Sequence, residues 1–387
     1  MKKFVLPIVA TLVGTCFVTY SFLDTFIIPK GGKDASFTFN ESGLDLPFGP
    51  TQSISSSSNK PDESSGNTGT NNSNTSQGSD SSSSSQSTVQ PLYSHDYYPE
   101  QLTTEEIAAL FTPTKEFVER KHYSDPDIYI DITTNRDAED TTTYYVADIR
   151  IKNLSYFRAA LAQDKFGRNY AERTSDLCNR KKGILAIDGD TYGSQEAGYV
   201  VRNANLDPEF IRTTKNLERH KPDDLVIKKD GTFEIIDERE TSFEQVKAMD
   251  PFHVFSFGPA LVNKNEITVT ENDEVGTAMG GNKNQRCAMG IINPGHYVFV
   301  VSDGRMKSSY GLSLLNLANI MKDLHCETAY NLDGGGSATM YLEDGTGNAT
   351  GLGHLVNYPH QSTQGLPDRP RMQQREVSDI VYIGKNL

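Results

Sequence analysis

The sequence has no tryptophan, only four cysteines among 387 residues, and fewer basic than acidic side chains, 37 Lys and Arg against 51 Asp and Glu. Each shortage excludes something. Four cysteines cannot knit a disulfide-dense small scaffold, and without a CxxC pair there is no zinc knuckle. No HExxH helix and no EF-hand loop is present, so those metal sites are excluded too. A net charge of −14 argues against a general nucleic-acid binder, which needs a basic face to neutralise phosphates. It leaves room for a local cationic pocket.

Two segments stand apart from the globular remainder. Met1-Lys2-Lys3 precedes the uncharged run Phe4 to Leu23, about the length that crosses a ~30 Å hydrocarbon core as a helix. The leading lysines predict a cytoplasmic start with the rest outside: a single-pass membrane anchor over 1–24. A cleaved signal peptide is the rival reading, although no small-x-small site follows the run; lipidation at Cys16 is a third. Residues 51–90 contain 16 serines in 40 positions. Such composition buries too little apolar area to offset backbone entropy, so 25–90 reads as a disordered linker. As a coil, residues 51–90 would span roughly 35 Å.

From residue 91 onward the composition is globular, read as an N-terminal part over 91–180 and a core over 181–387. Thr103 or Thr104 caps a short helix, Ser155 is placed to cap a second over 155–166, and 312–325 has helical apolar spacing. Strand-like runs occupy 127–132, 143–151, 184–188, 198–203, 224–228, 232–236, 253–257, 288–292, 297–303, 329–333, 337–342 and 379–384. Many strands, few helices and no regular βαβ alternation predict an α+β fold around a mixed β-sheet.

Chemistry-bearing residues gather at the ends of these strands. Asp333 closes a strand and leads into Gly334, Gly335 and Gly336, then Ser337 and Thr339. Three residues without Cβ allow positive φ and uncovered N–H groups, a concavity for an anion with two hydroxyls beside it. A flexible hairpin turn is the plainer reading. Asp303-Gly304-Arg305 ends another strand, where a guanidinium could grip a phosphate with two parallel bonds; an ordinary turn carries the same residues. Asp188-Gly189-Asp190 follows a buried run and suits a base, a nucleophile or an Asx turn. Asp190 with its acidic neighbours also admits a divalent cation, and no other cofactor is called for. Arg286 precedes one strand and Arg375 another. Among Cys178, Cys287 and Cys326, one disulfide with a leftover thiol and three buried free thiols are both open.

Taken together, the segments DGDTYG, SFGPALV, QRCAMG, VSDGR, AYNLDGGGSATMY and QREVSDIVYI resemble, in that order, the phosphodiester glycosidase family over roughly 180–387. Many of its bacterial members are exopolysaccharide-related. The resemblance implies a hydrolase acting on a sugar–phosphate diester. Its pocket would hold Asp188, Arg286, Asp303, Arg305, Asp333, the three glycines, Ser337, Thr339, Arg375 and the late Asn357. The family commonly has Asn where this chain has Asp188 and Thr where it has Cys287. Cleavage at the anomeric carbon passes through an oxocarbenium-like transition state, so the phosphate needs cationic partners placed in advance. One carboxylate, Asp333 or Asp303, must activate water or attack, with Asp188 positioning or assisting. The expected substrate is a sugar phosphate in a cell-surface glycan. A non-catalytic module for anionic glycans and a glycan-phosphate transferase are the alternatives.

Overall fold

The computed structural model describes residues 29–35, 102–118, 121–273, 283–343, 355–359 and 374–385. The run Phe4–Leu23, Cys16 and the serine-rich segment 51–90 lie outside them. Among the described residues no helix is long and apolar enough to cross a membrane.

Period-two alternation builds the core. Along Cys287–Asn293, Cys287, Met289 and Ile291 face one way and Ala288 the other. Along His296–Ser302, Tyr297, Phe299 and Val301 oppose Val298 and Val300. These strands lie within a nine-stranded sheet, ordered 266–267, 260–263, 328–331, 287–293, 296–302, 142–151, 128–137, 122–124 and 116–118. A four-stranded sheet, ordered Met340–Leu342, Leu185–Asp188, Asp379–Ile383 and Phe157–Leu161, turns Leu185, Ile187, Val381, Ile383 and Phe157 toward the same core.

Each sheet carries a helix on its outer side. Leu314–Asp323, capped by Ser313, lays Leu314, Leu317, Ala318 and Met321 against Val298 and Val300. Thr174–Arg180 lays Leu177 and Cys178 against Ala186, Ile380 and Tyr382. The result is a helix–sheet–sheet–helix sandwich. A three-stranded sheet, Phe233–Asp237, Asp223–Lys228 and Pro251–Phe255, adds Leu225, Ile227, Phe252 and Phe255 to the core.

The strand-rich α+β reading holds. Every pairing in these three sheets is antiparallel, so the expected mixture of parallel and antiparallel pairs resolves into antiparallel order among the described strands. Parallel neighbours need helical crossovers, and few helices are there to supply them. The helix expected over 155–166 is instead a single 3₁₀ turn, Leu154–Tyr156, followed by the strand Phe157–Leu161. Pairing with Asp379–Ile383 outweighs the helix propensity of its alanines and leucine. Residues 198–203 form isolated bridges, Val200 with Arg212 and Val201 with Val254, rather than a strand. Arg202 turns inward there, and Asn203 and Ala204 take positive φ. Lys30–Asp34, within the stretch read as linker, is a strand paired with Lys165–Arg168. Cys178, Cys287 and Cys326 are free and buried, which settles the open disulfide question for these three.

Candidate active site

Antiparallel pairing puts the end of one strand beside the start of the next. Asn331 lies opposite Ala288, and Cys287 opposite Val301. The chain therefore leaves Asn331 and Ser302, and enters Cys287, at a single edge of the large sheet. Asp333, Asp303, Arg305 and Arg286 all sit within a few residues of that edge. The loop after Asp333 then crosses to the other sheet, where Met340 pairs with Ile187 next to Asp188. The sandwich thus collects residues distant in sequence.

Asp333 is ringed by donors. Its Oδ1 accepts from the Gly334 N–H at 2.8 Å; its Oδ2 accepts from Ser337 Oγ at 2.5 Å and Arg375 Nη2 at 2.8 Å. Arg375 Nε also donates to Ser337 Oγ at 2.7 Å, closing a ring of carboxylate, hydroxyl and guanidinium. The backbone N–H of Asp333 donates to Gly189 O at 3.1 Å and that of Gly335 to Gln285 O at 2.9 Å, tying the loop to both flanking segments. The glycines are required by close approach. Gly335 has φ +60°, and a Cβ there would stand 2.9 Å from Arg305 Nη2; one on Gly334 would stand 2.7 Å from Gln285 O. The expected nest of glycine N–H groups does not form as such. Two of the three, those of Gly334 and Gly335, are engaged within the protein.

The cationic side of the site comes from arginines. Arg305, in the left-handed region at φ +57°, donates through Nε and Nη2 to Asn284 Oδ1 at 3.1 and 3.0 Å. Burial and then the neighbouring Arg375 lower its pKa, and the Asp333 charge opposes them. Arg305, Arg375 and Asp333 therefore share one electrostatic neighbourhood, and arginine stays cationic in it. Arg286 is buried and directs Nε to Leu312 O at 3.1 Å, while its backbone N–H donates to Ser302 Oγ at 2.9 Å.

Asp303 is buried between two donors. The Tyr358 N–H reaches its Oδ1 at 2.8 Å and the Tyr145 hydroxyl its Oδ2 at 3.2 Å. Burial nevertheless pushes its pKa up to about 6, because loss of hydration penalises the charged form more than the two hydrogen bonds favour it.

Asp188 lies deeper and is fully buried. Burial, and then the Asp333 charge, push it well above the usual carboxylate range, which favours the neutral form; the Cys287 thiol and the Thr339 N–H act the other way. That N–H reaches Oδ1 at 3.3 Å, whereas Oδ2 and the Thr339 hydroxyl oxygen are buried with no hydrogen-bond partner. Burial and Asp188 raise the Cys287 thiol in turn. Asn357 uses its amide on backbone: Oδ1 accepts from Met340 N at 2.8 Å and Nδ2 donates to Ala338 O at 2.9 Å, pinning the loop where it joins the four-stranded sheet.

Asp190 faces away from this group. Its Oδ1 accepts from Arg202 Nη2 at 2.7 Å and Tyr192 N at 3.1 Å, and its Oδ2 from Ser256 N at 3.0 Å. With Asp379 also on Arg202 Nη2 at 2.8 Å, it belongs to a buried ion-pair triad, and its oxygens are engaged rather than open to a cation. Among the described residues no group of three or more His, Cys, Asp and Glu is arranged to hold a metal.

The structure thus joins Asp333, Ser337, Arg375 and Gly334 by hydrogen bonds and sets Arg305 against Gly335 in the same electrostatic neighbourhood. It brings Asp188 under the influence of the Asp333 charge, holds Asp303 at the end of a strand on the same sheet edge, and leaves Asp190 outside. Sequence reasoning missed Tyr145, Asn284, Gln285 and Tyr358. Nothing in the alternation around Tyr145 distinguishes it from an ordinary core tyrosine, but the residue following Asn357 could have been found as an exposed aromatic beside a candidate site residue.

The ring of Asp333, Ser337 and Arg375 falls within a family match. The model of the phosphodiester glycosidase family covers residues 181–384, and the chain belongs to that family of hydrolases. The SPbeta prophage-derived uncharacterized protein YomE of Bacillus subtilis (strain 168) is 24% identical over 206 residues, 51% of this chain and 31% of YomE, so the chain spans about a third of that relative's length. Among solved structures, the catalytic domain of zebrafish N-acetylglucosamine-1-phosphodiester alpha-N-acetylglucosaminidase, auto-inhibited by its pro-peptide, is similar with a TM-score of 0.49 and 20% identity, covering 70% of this chain and 88% of that one. A hypothetical protein from Synechocystis has a TM-score of 0.43 at 13% identity, covering 67% and 62%.

Proposed function

We propose that this chain hydrolyses sugar-1-phosphate phosphodiesters in a cell-surface polysaccharide. The observation that carries the reading is the placement of two arginines, Arg305 and Arg375, around Asp333, with Asp303 nearby poised to change charge close to neutral pH. The guanidinium groups hold the phosphate and neutralise the charge that gathers on it as the anomeric bond breaks. A phosphomonoester is a good leaving group, so the larger demand is on the other side of the sugar. There a carboxylate activates water or attacks the anomeric carbon. Asp333 is the first candidate for that task and Asp303, partly protonated near pH 6, the acid–base partner. Asp188 lies beneath them as a carboxyl biased toward its neutral form, suited to position a sugar hydroxyl. A group that changes charge near neutrality favours chemistry over simple glycan binding.

The same reading places the protein at the cell membrane with its C-terminal domain outside. Lys2, Lys3 and the apolar run Phe4–Leu23 support this. Incubation of the full chain with a panel of sugar-1-phosphate diesters tests the activity: free sugar and phosphomonoester are expected in equal amounts. Sugar transferred to an added glycan would instead indicate a transferase, and no turnover of any diester a binding module. Protease added to whole cells tests the topology. Complete protection of the body of the chain would overturn it.

A further inference from the structure

The residues that precede the family-matched region 181–384 are not merely packing for the site. The strand Thr142–Ile151 lies beside His296–Ser302, with Tyr145 directly opposite Val301. It leaves the Tyr145 ring in the core and its hydroxyl 3.2 Å from Asp303 Oδ2. The same strand receives the Asp303 N–H on Thr143 O at 3.0 Å. One strand from outside the matched region therefore holds Asp303 by both backbone and side chain. From the opposite direction the Tyr358 N–H holds Oδ1 at 2.8 Å, and the Tyr358 phenol is close enough to Tyr145 to act on it electrostatically.

We infer that Tyr145 is a positioning residue for Asp303, its phenol fixing the carboxyl group and favouring the charged form in which Asp303 serves as a base. The inference rests on the reading of Asp303 as an acid–base residue. A phenol cannot approach a carboxylate oxygen in a buried site without donating to it: burial and Asp303 itself both hold the Tyr145 hydroxyl in its protonated form. The bond is thus a neutral donor on an anionic acceptor, the kind that lowers an acid's pKa. It works against the burial that raises Asp303. Among the described residues the groups facing the Asp303 carboxyl are the Tyr145 hydroxyl from the 142–151 strand and the Tyr358 N–H from residues 355–359; the Tyr358 phenol acts on Tyr145, and Arg305 follows two residues along the Asp303 segment. Among the described residues Tyr145 alone bonds Asp303 through a side chain, so there the bond can be removed with the backbone left alone.

Two measurements on the full chain test this. The first is the pH dependence of kcat/KM on a sugar-1-phosphate diester. The second is the carboxyl ¹³C titration of Asp303, assigned by its loss in Asp303→Asn, which needs no activity. Tyr145→Phe keeps the ring in the core and removes the donor. It is expected to move the Asp303 midpoint, and with it the limb of the rate profile that Asp303 controls, to higher pH by about one unit. Site-specific 3-fluorotyrosine at 145, a stronger donor in nearly the same shape, is expected to move both the other way. An Asp303 midpoint unchanged in both variants would overturn the inference, as would a rate profile that stays put while the midpoint moves. If the unmodified chain cleaves no diester, the proposed function fails, and the carboxyl titration still decides whether Tyr145 controls Asp303.

Discussion

Asp303 and Asp333 belong to the same site, but different surroundings give them different work. Asp303 has two neutral donors and is almost fully buried. Its folded pKa of about 6 stands above an unfolded value near 3.9. Between those two values the unfolded chain releases the proton and the folded chain keeps it, so stability falls as pH rises through the window. Two units correspond to about 3 kcal/mol. Asp303→Asn removes the titration and is expected to melt higher than the parent at pH 7, with the difference closing toward pH 4; equal melting temperatures across that range would show that Asp303 titrates normally. Asp333, by contrast, has a cation and a hydroxyl on one oxygen and an N–H on the other. Asp333→Asn keeps its shape and removes its charge. A catalytic role predicts a fall in kcat of about 10²-fold or more, with a smaller stability loss from the broken pairing to half-exposed Arg375. An active variant that merely melts early would pass the catalytic assignment to Asp303.

At the scale of elements, much of the site was legible because its residues stand where strands end. Asp188, Asp303 and Asp333 each stand at or just past the end of a largely apolar, strand-like run, where a turn explains any one of them alone and their recurrence together points to a site. What the sequence hid was pairing. Residues 155–166 read as a helix, yet Phe157–Leu161 form a strand because the exposed edge of Asp379–Ile383 needs a partner, and two residues with positive φ, Gln163 and Asp164, follow its end. Tyr145 was invisible for the same reason: only the register of 142–151 against 296–302 brings its hydroxyl to Asp303. The glycine loop was legible in kind but not in use. Its tight backbone admits Arg305 and the 285–286 segment rather than presenting all its N–H groups to an anion. Gly335→Ala adds a Cβ at φ +60° and 2.9 Å from Arg305 Nη2. Backbone strain of about 1–2 kcal/mol and a displaced guanidinium are expected, seen as a lower melting temperature together with a higher KM. Unchanged KM would mean that Arg305 does not contact the substrate.

For the whole molecule, the family match begins at residue 181, yet the sandwich does not. Strands 128–137 and 142–151 extend the large sheet beyond His296–Ser302, and Phe157–Leu161 closes the small sheet beside Asp379–Ile383. Ile130, Ile149, Phe157 and their neighbours fill the shared core, each fully buried apolar side chain contributing about 1.5–3 kcal/mol. A net stability of about 5–15 kcal/mol cannot survive the loss of several such residues along with two strand pairings. A fragment of residues 181–387 is therefore expected to lack a cooperative thermal transition and to aggregate through the bared edges of His296–Ser302 and Asp379–Ile383. A fragment of residues 102–387 keeps all three sheets and is expected to unfold in one cooperative step. Circular dichroism melts of the two fragments make the comparison. Cooperative unfolding of the shorter fragment would show that the family-matched region is a self-sufficient domain, and would leave the 102–180 segment as an accessory to it rather than part of its core.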